Sequence, residues 1–156
     1  MSSFSKAQEF SNQLAREKEK EESLIEQHPE KLIDSQIVFR NAMTQDFKKI
    51  IELALVDEKI TSIDAYNPCL KQMGATLRRL DLSVNYIATI NNLECLTNLR
   101  ELNLSYNQIR QMENLHKLTS LRKLYIDRNH IKEINGIKHL RKLEKLSLRG
   151  NRIRDP

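Results

Sequence analysis

The apolar positions of this chain recur with a fixed 22-residue period. Leu77, Leu99, Leu121 and Leu143 each open the pattern L-x-x-L-x-L-x-x-N-x-I-x-x-I/M-x-x-L/I-x-x-L-x-x. The copies read LRRLDLSVNYIATINNLECLTN, LRELNLSYNQIRQMENLHKLTS, LRKLYIDRNHIKEINGIKHLRK and a shortened LEKLSLRGNRIRDP. A constant period of this length is the signature of a solenoid, in which each copy buries its apolar face only against its neighbours. The spacing predicts one short strand per copy: Leu80-Asp81-Leu82, Leu102-Asn103-Leu104, Leu124-Tyr125-Ile126 and Leu146-Ser147-Leu148. Side chains alternate along a strand, so the flanking apolar residues point inward and the middle one points out of the sheet.

A degenerate copy precedes the regular ones. Ile50, Leu53, Leu55, Ile60 and Ile63 keep the spacing, with Glu58 where the later copies have asparagine. Extra residues, Asp64 to Cys69, follow before Leu70 and Met73. This copy is expected to be the cap, since a terminal repeat has one face without a neighbour. Upstream, Thr44 and Asp46 are placed to cap a short helix through Phe47, Ile50 and Ile51. Two further helical segments flank His28-Pro29, the second carrying Leu32, Ile33, Ile37, Val38 and Met43. The first opens with Ser5 to Gln8, which resembles a capping box, and Arg16–Glu22 is almost wholly charged. The expected organisation is a charged helical arm over 1–43, a cap and degenerate repeat over 44–76, and repeats over 77–156, three complete and one incomplete. The fourth copy lacks its last apolar positions, so Leu146, Leu148 and Ile153 are expected to leave an open core edge, as in a fragment of a longer protein.

Asn85, Asn107, Asn129 and Asn151 share one register just after each strand. A polar ligand ladder would use such a column. A structural role is favoured, because the chain must turn sharply there and a buried amide can satisfy stranded backbone groups.

With these residues in view, the Leu77–Pro156 stretch resembles the 22-residue class of leucine-rich repeat. The resemblance rests on L-x-x-L-x-L-x-x-N-x-I and on the isoleucines at 87, 90, 109, 131, 134 and 153. The protein phosphatase 1 regulatory subunit and axonemal dynein light chain 1 typify that class, and the spliceosomal A-prime protein and many ciliary proteins share it. The resemblance implies an α/β solenoid: a short curved horseshoe with a parallel sheet on its concave side, a short 3₁₀ or helical convex side, and protein binding.

Composition narrows the function. Residues 1–76 hold 10 Lys/Arg against 13 Asp/Glu, net −3, and residues 77–156 hold 16 against 8, net +8. A basic repeat half can steer an acidic partner. There is no signal peptide, lipidation signal or apolar run long enough to span a bilayer. Cys69 and Cys95 form no paired framework, which points to reduced thiols and a cytoplasmic protein. Asn103-Leu104-Ser105 fits a glycosylation sequon, but the repeat consensus already dictates it. The three glycines look scattered and form no phosphate-binding loop. His28, His116, His130 and His139 fall at different registers and do not stack into a metal site. No cofactor or enzyme constellation is expected.

The outward ladder of the sheet is therefore the candidate site. It comprises Asp81, Asn103, Tyr125 and Ser147, flanked by Arg79, Glu101, Lys123 and Lys145, then by Ser83/Val84, Ser105/Tyr106, Asp127/Arg128 and Arg149/Gly150. Core packing does not dictate these identities. Tyr106, Tyr125 and Arg128 lead, because Tyr and Arg supply most interface hot spots. The alternative is that Tyr125 merely covers its neighbouring strands. A second basic row, Arg110, Lys132 and Arg154, lies beyond the asparagine turn. The expected function is a non-enzymatic protein-interaction scaffold, first cytoskeletal or axonemal, second a phosphatase regulatory subunit, third a ribonucleoprotein subunit. Nucleic acid is disfavoured because no aromatic platform accompanies the basic residues.

Overall fold

The computed structural model describes residues 31–63 and 68–154. The Ser5–Gln8 box, the Arg16–Glu22 run, His28-Pro29 and Asp64–Asn67 of the insertion lie outside the described residues. Lys31–Pro156 form one compact unit. In it, helix α1 (Ser35–Asn41) precedes a 3₁₀ turn (Phe47–Lys49), strand β1 (Glu52–Ala54) and helix α2 (Pro68–Met73); strands β2 (Arg79–Asp81), β3 (Glu101–Asn103), β4 (Lys123–Tyr125) and β5 (Lys145–Ser147) follow. The five strands form one parallel sheet in sequence order.

The register follows the repeat. Leu53, Leu80, Leu102, Leu124 and Leu146 stand side by side across the sheet. Each strand starts one residue earlier than the spacing predicts, yet pairing continues past it. The Leu82, Leu104 and Ile126 N–H groups donate to Asn103, Tyr125 and Ser147 carbonyls at 2.8, 2.8 and 2.9 Å. Behind the sheet, the return paths are i→i+3 turns. Examples are Leu96 N to Leu93 O and Leu118 N to Leu115 O, both 3.0 Å. Leucines three apart therefore end on the same inward edge.

The core is one continuous apolar stack from Ile33 to Leu140. The second copy buries all seven of its pattern positions: Leu99, Leu102, Leu104, Ile109, Met112, Leu115 and Leu118. In the third copy Ile134 is exposed, although Ile90 and Met112 in the same column are buried. The column has no further described member to cover Ile134. Leu143, Leu146 and Leu148 are only partly buried and Ile153 is exposed, which matches the expected open edge.

At the other end α1 covers the core. Asp34 caps it, its carboxylate accepting from Ile37 N at 2.8 Å. Ile33, Ile37 and Val38 are buried as their spacing requires, but Met43 is fully exposed because α1 stops at Asn41. The expected helix at Phe47 is a single 3₁₀ turn, capped by the Asp46 carboxylate accepting from Lys48 N at 3.0 Å; Ile50 is buried and Ile51 is exposed. Phe39 and Phe47 stack with ring centroids 4.5 Å apart, tying α1 to that turn. Residues 31–42, expected to belong to a charged arm, thus contribute to the same core as the repeats.

Candidate functional site

Two polar columns shape the surface around the sheet. In the first, each asparagine braces its own turn to the preceding repeat. Asn107 Oδ1 accepts from Ile87 N at 2.9 Å, and its Nδ2 donates to Leu82 O at 2.9 Å and Leu104 O at 3.1 Å. Asn85 does the same for Ile60 N and Leu55 O, Asn129 for Ile109 N and Leu104 O, and Asn151 for Ile131 N and Ile126 O. Asn85, Asn107 and Asn129 are buried. With both ends of the amide consumed, this column has nothing left to offer a ligand.

A second column was hidden in the sequence. Asn92 and Asn114 adopt positive φ (56° and 58°), and each Nδ2 donates to a carbonyl of the previous copy, Ile63 O and Ile90 O. Gly136 holds the same register with φ 70°, and a Cβ there would sit 1.7 Å from Met112 O. Gly150 also sits in a recurring left-handed position, so neither glycine is scattered with respect to the repeat. The signal was an amide or glycine at the sixteenth position of each copy.

Glu58, the substitute for asparagine in the degenerate copy, works differently. Burial acts to raise its carboxyl. Hydrogen bonds from Asn41 and Arg40, with the charges of Arg40 and Lys31, outweigh burial and hold it below the ordinary carboxylate range. The Asn41 contact is 2.8 Å and Lys31 lies at 3.8 Å. Lys31 and Thr61 also exchange bonds: Lys31 N to Thr61 Oγ1 at 2.9 Å and Thr61 N to Lys31 O at 3.1 Å. Glu58 therefore fastens α1 to the first repeat.

On the open face of the sheet lies a groove of about 560 Å³. Of the expected face residues, Arg79, Asp81, Ser83, Glu101, Asn103, Ser105, Tyr106, Tyr125, Asp127, Arg128 and Arg149 line it; Lys123, Lys145, Ser147 and Gly150 lie outside the lining. Val84 joins them on one wall. Arg79 bridges Glu52 (3.2 Å) and Glu101 (3.6 Å), and Glu101 also meets Lys123 (3.3 Å), so one row is a self-neutralising ion-pair ladder. Asp81 accepts from Ser83 N (2.8 Å) and Asn103 Nδ2 (3.0 Å), and Asp127 accepts from Ser147 Oγ and Arg149 N, both 2.6 Å. Lys145 lies over the Tyr125 ring at 5.1 Å and Arg128 over the Tyr106 ring at 5.9 Å. Tyr125 is half-buried between its strands, whereas Tyr106 is 55% exposed.

The rim of this groove carries backbone strain. Val84, Tyr106 and Arg128 occupy one register with φ 58°, 58° and 54°, and Asp57 and Gly150 (55° and 74°) complete the column. The Val84, Tyr106 and Arg128 N–H groups donate to Ser105, Asp127 and Arg149 carbonyls at 3.0, 2.8 and 2.7 Å, which locks the conformation. The apolar period carries no sign of this column, because Val, Tyr and Arg disguise a position that glycine would fill without strain.

Elsewhere, His116 and His139 share a shallow cleft behind the sheet with Glu113 and Lys138. Among the described residues no three His, Cys, Asp or Glu side chains gather as a metal site. Burial pushes the thiols of Cys69 and Cys95 up.

Two stretches, residues 75–117 and 119–156, match the family described as Leucine Rich repeats (2 copies), more than half of the chain. No curated protein matches. Among solved structures the chain is similar to internalin C2 of Listeria monocytogenes, with 28% identity and a TM-score of 0.57 over 74% of this chain and 50% of that one. It is also similar to an internalin F of the same organism, with 23% identity and a TM-score of 0.54 over 70% of this chain and 37% of that one; this second likeness shows the fold alone. The chain thus spans half the length of the first and just over a third of the second.

Proposed function

Because the chain belongs to the leucine-rich-repeat family, whose members generally mediate protein–protein interaction, we propose that it is a non-enzymatic scaffold that takes its partner on the open sheet face. The observation that carries this reading is the groove itself. Its rim displays Val84, Tyr106 and Arg128 at left-handed backbone positions that glycine would fill without strain. Exposed Tyr and Arg side chains supply most interface hot spots.

Within that class the reading is cytoplasmic, and cytoskeletal or axonemal. It rests on analogy with the ciliary members of the 22-residue class and on two cysteines without a pairing framework. No helix among the described residues is long and apolar enough to cross a membrane. A phosphatase-regulatory role is the second reading, resting on the same resemblance to the 22-residue class. A ribonucleoprotein role is the third reading: the net charge of residues 77–156 speaks for it, but the groove mixes its basic residues with acidic ones.

The test is affinity capture from cell extract with identification by mass spectrometry. The full chain is run beside a Tyr106→Ala/Tyr125→Ala/Arg128→Glu variant of matched thermal stability. A partner lost from the variant supports the sheet-face reading and identifies the class. The same partners retained on the variant overturn it.

A further inference from the structure

The sheet groove has two unlike ends. At the β2–β3 end its rim is apolar: Val84 is 45% exposed and Tyr106 55%. At the β4–β5 end it is cationic. The three carboxylates lining the groove are all occupied within the protein, Glu101 by Arg79 and Lys123, Asp81 by Ser83 N and Asn103, Asp127 by Ser147 and Arg149 N. Arg128 lies over the Tyr106 ring, and among the described residues neither its guanidinium nor that of Arg149 meets a carboxylate. Hydrogen bonds from neutral groups leave Asp81 and Asp127 charged, so the lining holds three cations and three anions, unevenly placed: at the β4–β5 end Arg128 and Arg149 exceed Asp127 by one positive charge, while Asp81 and Glu101 face Arg79 at the other.

We propose that the groove is a directional site for an extended acidic segment of a protein partner. An apolar side chain of the segment lies against Val84 and Tyr106, and a carboxylate about three residues further along meets Arg128 and Arg149. The inference rests on the sheet-face reading above and deepens it. The spacing follows from the sheet. From β3 to β5 is two strand intervals, about 10 Å, and extended chain covers about 3.3–3.6 Å per residue. Charge complementarity selects the carboxylate, and Arg forks suit it geometrically. The exposed apolar contact selects the neighbouring anchor. The backbone supplies a further argument. A β-branched valine and a tyrosine are held in the left-handed region at positions where Gly150 shows the fold accepts glycine. Such strain persists where the side chain serves a purpose that the backbone does not.

The experiment is a fluorescence-anisotropy titration of the full chain at low salt. The labelled ten-residue probe carries a Leu-Phe pair followed three residues later by three consecutive Glu. Control probes replace Glu by Lys, or separate the two elements by eight residues. Saturable binding of the first probe is expected, at least tenfold weaker for either control. Arg128→Glu/Arg149→Glu is expected to weaken it at least tenfold with an unchanged thermal melt, and Val84→Gly/Tyr106→Gly several-fold with a melt no lower than wild type. Absence of saturable binding, equal binding of the Glu and Lys probes, or a charge-reversed variant within twofold of wild type overturns the proposal. Equal affinity for the widened probe overturns its spacing. A partner captured through the sheet face that carries no such acidic segment overturns the proposal and leaves the interaction reading standing.

Discussion

At β1 the apolar stack ends beneath a helix; at β5 it ends half in water. Both outer repeats depart from the 22-residue pattern, but in different ways. The first replaces the turn asparagine by Glu58 and uses it to grip α1 through Arg40, Asn41 and Lys31. The last keeps its asparagine, yet Leu143, Leu146 and Leu148 stay only partly buried. The lesson is that a repeat's own sequence does not determine its burial. Leu124 and Leu146 hold the same position in successive copies and pair directly across the sheet, but only Leu124 is fully covered. Burial in a solenoid is conferred by neighbours.

The largest effects test that statement. Leu124→Ala is expected to cost about 2–5 kcal/mol, since it opens a cavity in a site walled by copies on both sides. Leu146→Ala is expected to cost less than half as much, because part of its surface already meets water. Denaturant titration of both variants decides. Equal losses would mean that the last repeat is as well packed as the third. A loss below about half a kcal/mol for Leu124→Ala would mean that its register is wrong.

Next in size are the turn asparagines. Asn107→Ala orphans Ile87 N inside the core and leaves Leu82 O with the Asn85 amide alone, an expected loss of about 1–3 kcal/mol. Asn151→Ala removes equivalent bonds where the amide is only partly buried, so water can replace them and the loss is smaller. Thermal melts of the pair, compared with wild type, check both. A melt of Asn107→Ala identical to wild type refutes the structural role.

These two contrasts also mark what could be read from sequence. The period placed Leu53, Leu80, Leu102, Leu124 and Leu146 in register, because one apolar residue type recurs at a fixed interval and a slip would expose it. It identified the Asn85 column as structural by the same logic. It missed the Asn92–Asn114–Gly136 column, whose members share a backbone conformation rather than a side-chain type. Met43 and Ile51 on the expected helical segments, and Ile134 on the repeat pattern, are exposed, since apolar character says nothing about whether a neighbour is present to cover them. Of the sixteen expected face residues, Lys123, Lys145, Ser147 and Gly150 do not line the groove. Alternation assigns a side chain to a face but not to the groove's width.

A smaller effect separates the first repeat from the middle by pH. Glu58 is held below its ordinary 4.5, so its contribution is complete above that value and is lost as pH falls through the lowered one. His130 is held below its ordinary 6.5, by burial first and then by Arg152 and Arg110, against a backbone hydrogen bond that raises it. The unfolded chain therefore takes up that proton first, and stability declines as pH falls from 6.5 toward the lowered value. Stability is expected to fall in two steps on acidification. Glu58→Gln removes the lower step and loosens α1; His130→Gln removes the upper one and leaves α1 alone. Urea midpoints measured from pH 7.5 to 3.5 check the order, and a lower step unchanged in Glu58→Gln would assign it to another group.

The smallest effect carries the most information about the groove. Asp57, Val84, Tyr106, Arg128 and Gly150 share one left-handed position, and only the last has the residue best suited to it. A non-glycine residue there costs about 1–2 kcal/mol, while glycine brings back about 0.5–1 kcal/mol of unfolded-chain freedom. Tyr106→Gly is therefore expected to be more stable than wild type by roughly 0.5 kcal/mol. Gly150→Ala is expected to lose a comparable amount, since its new Cβ stands 3.2 Å from the Arg128 side chain, whose flexible arm can yield. Paired denaturant titrations resolve both signs. If Tyr106→Gly is instead less stable by more than about 1 kcal/mol, the Arg128–Tyr106 contact supports the fold. The tyrosine is then held there by the protein's own packing, with no need of a partner to explain it. A stability gain coupled to loss of capture would place the strain at the contact surface, where the β2–β3 rim differs from the glycine at β5.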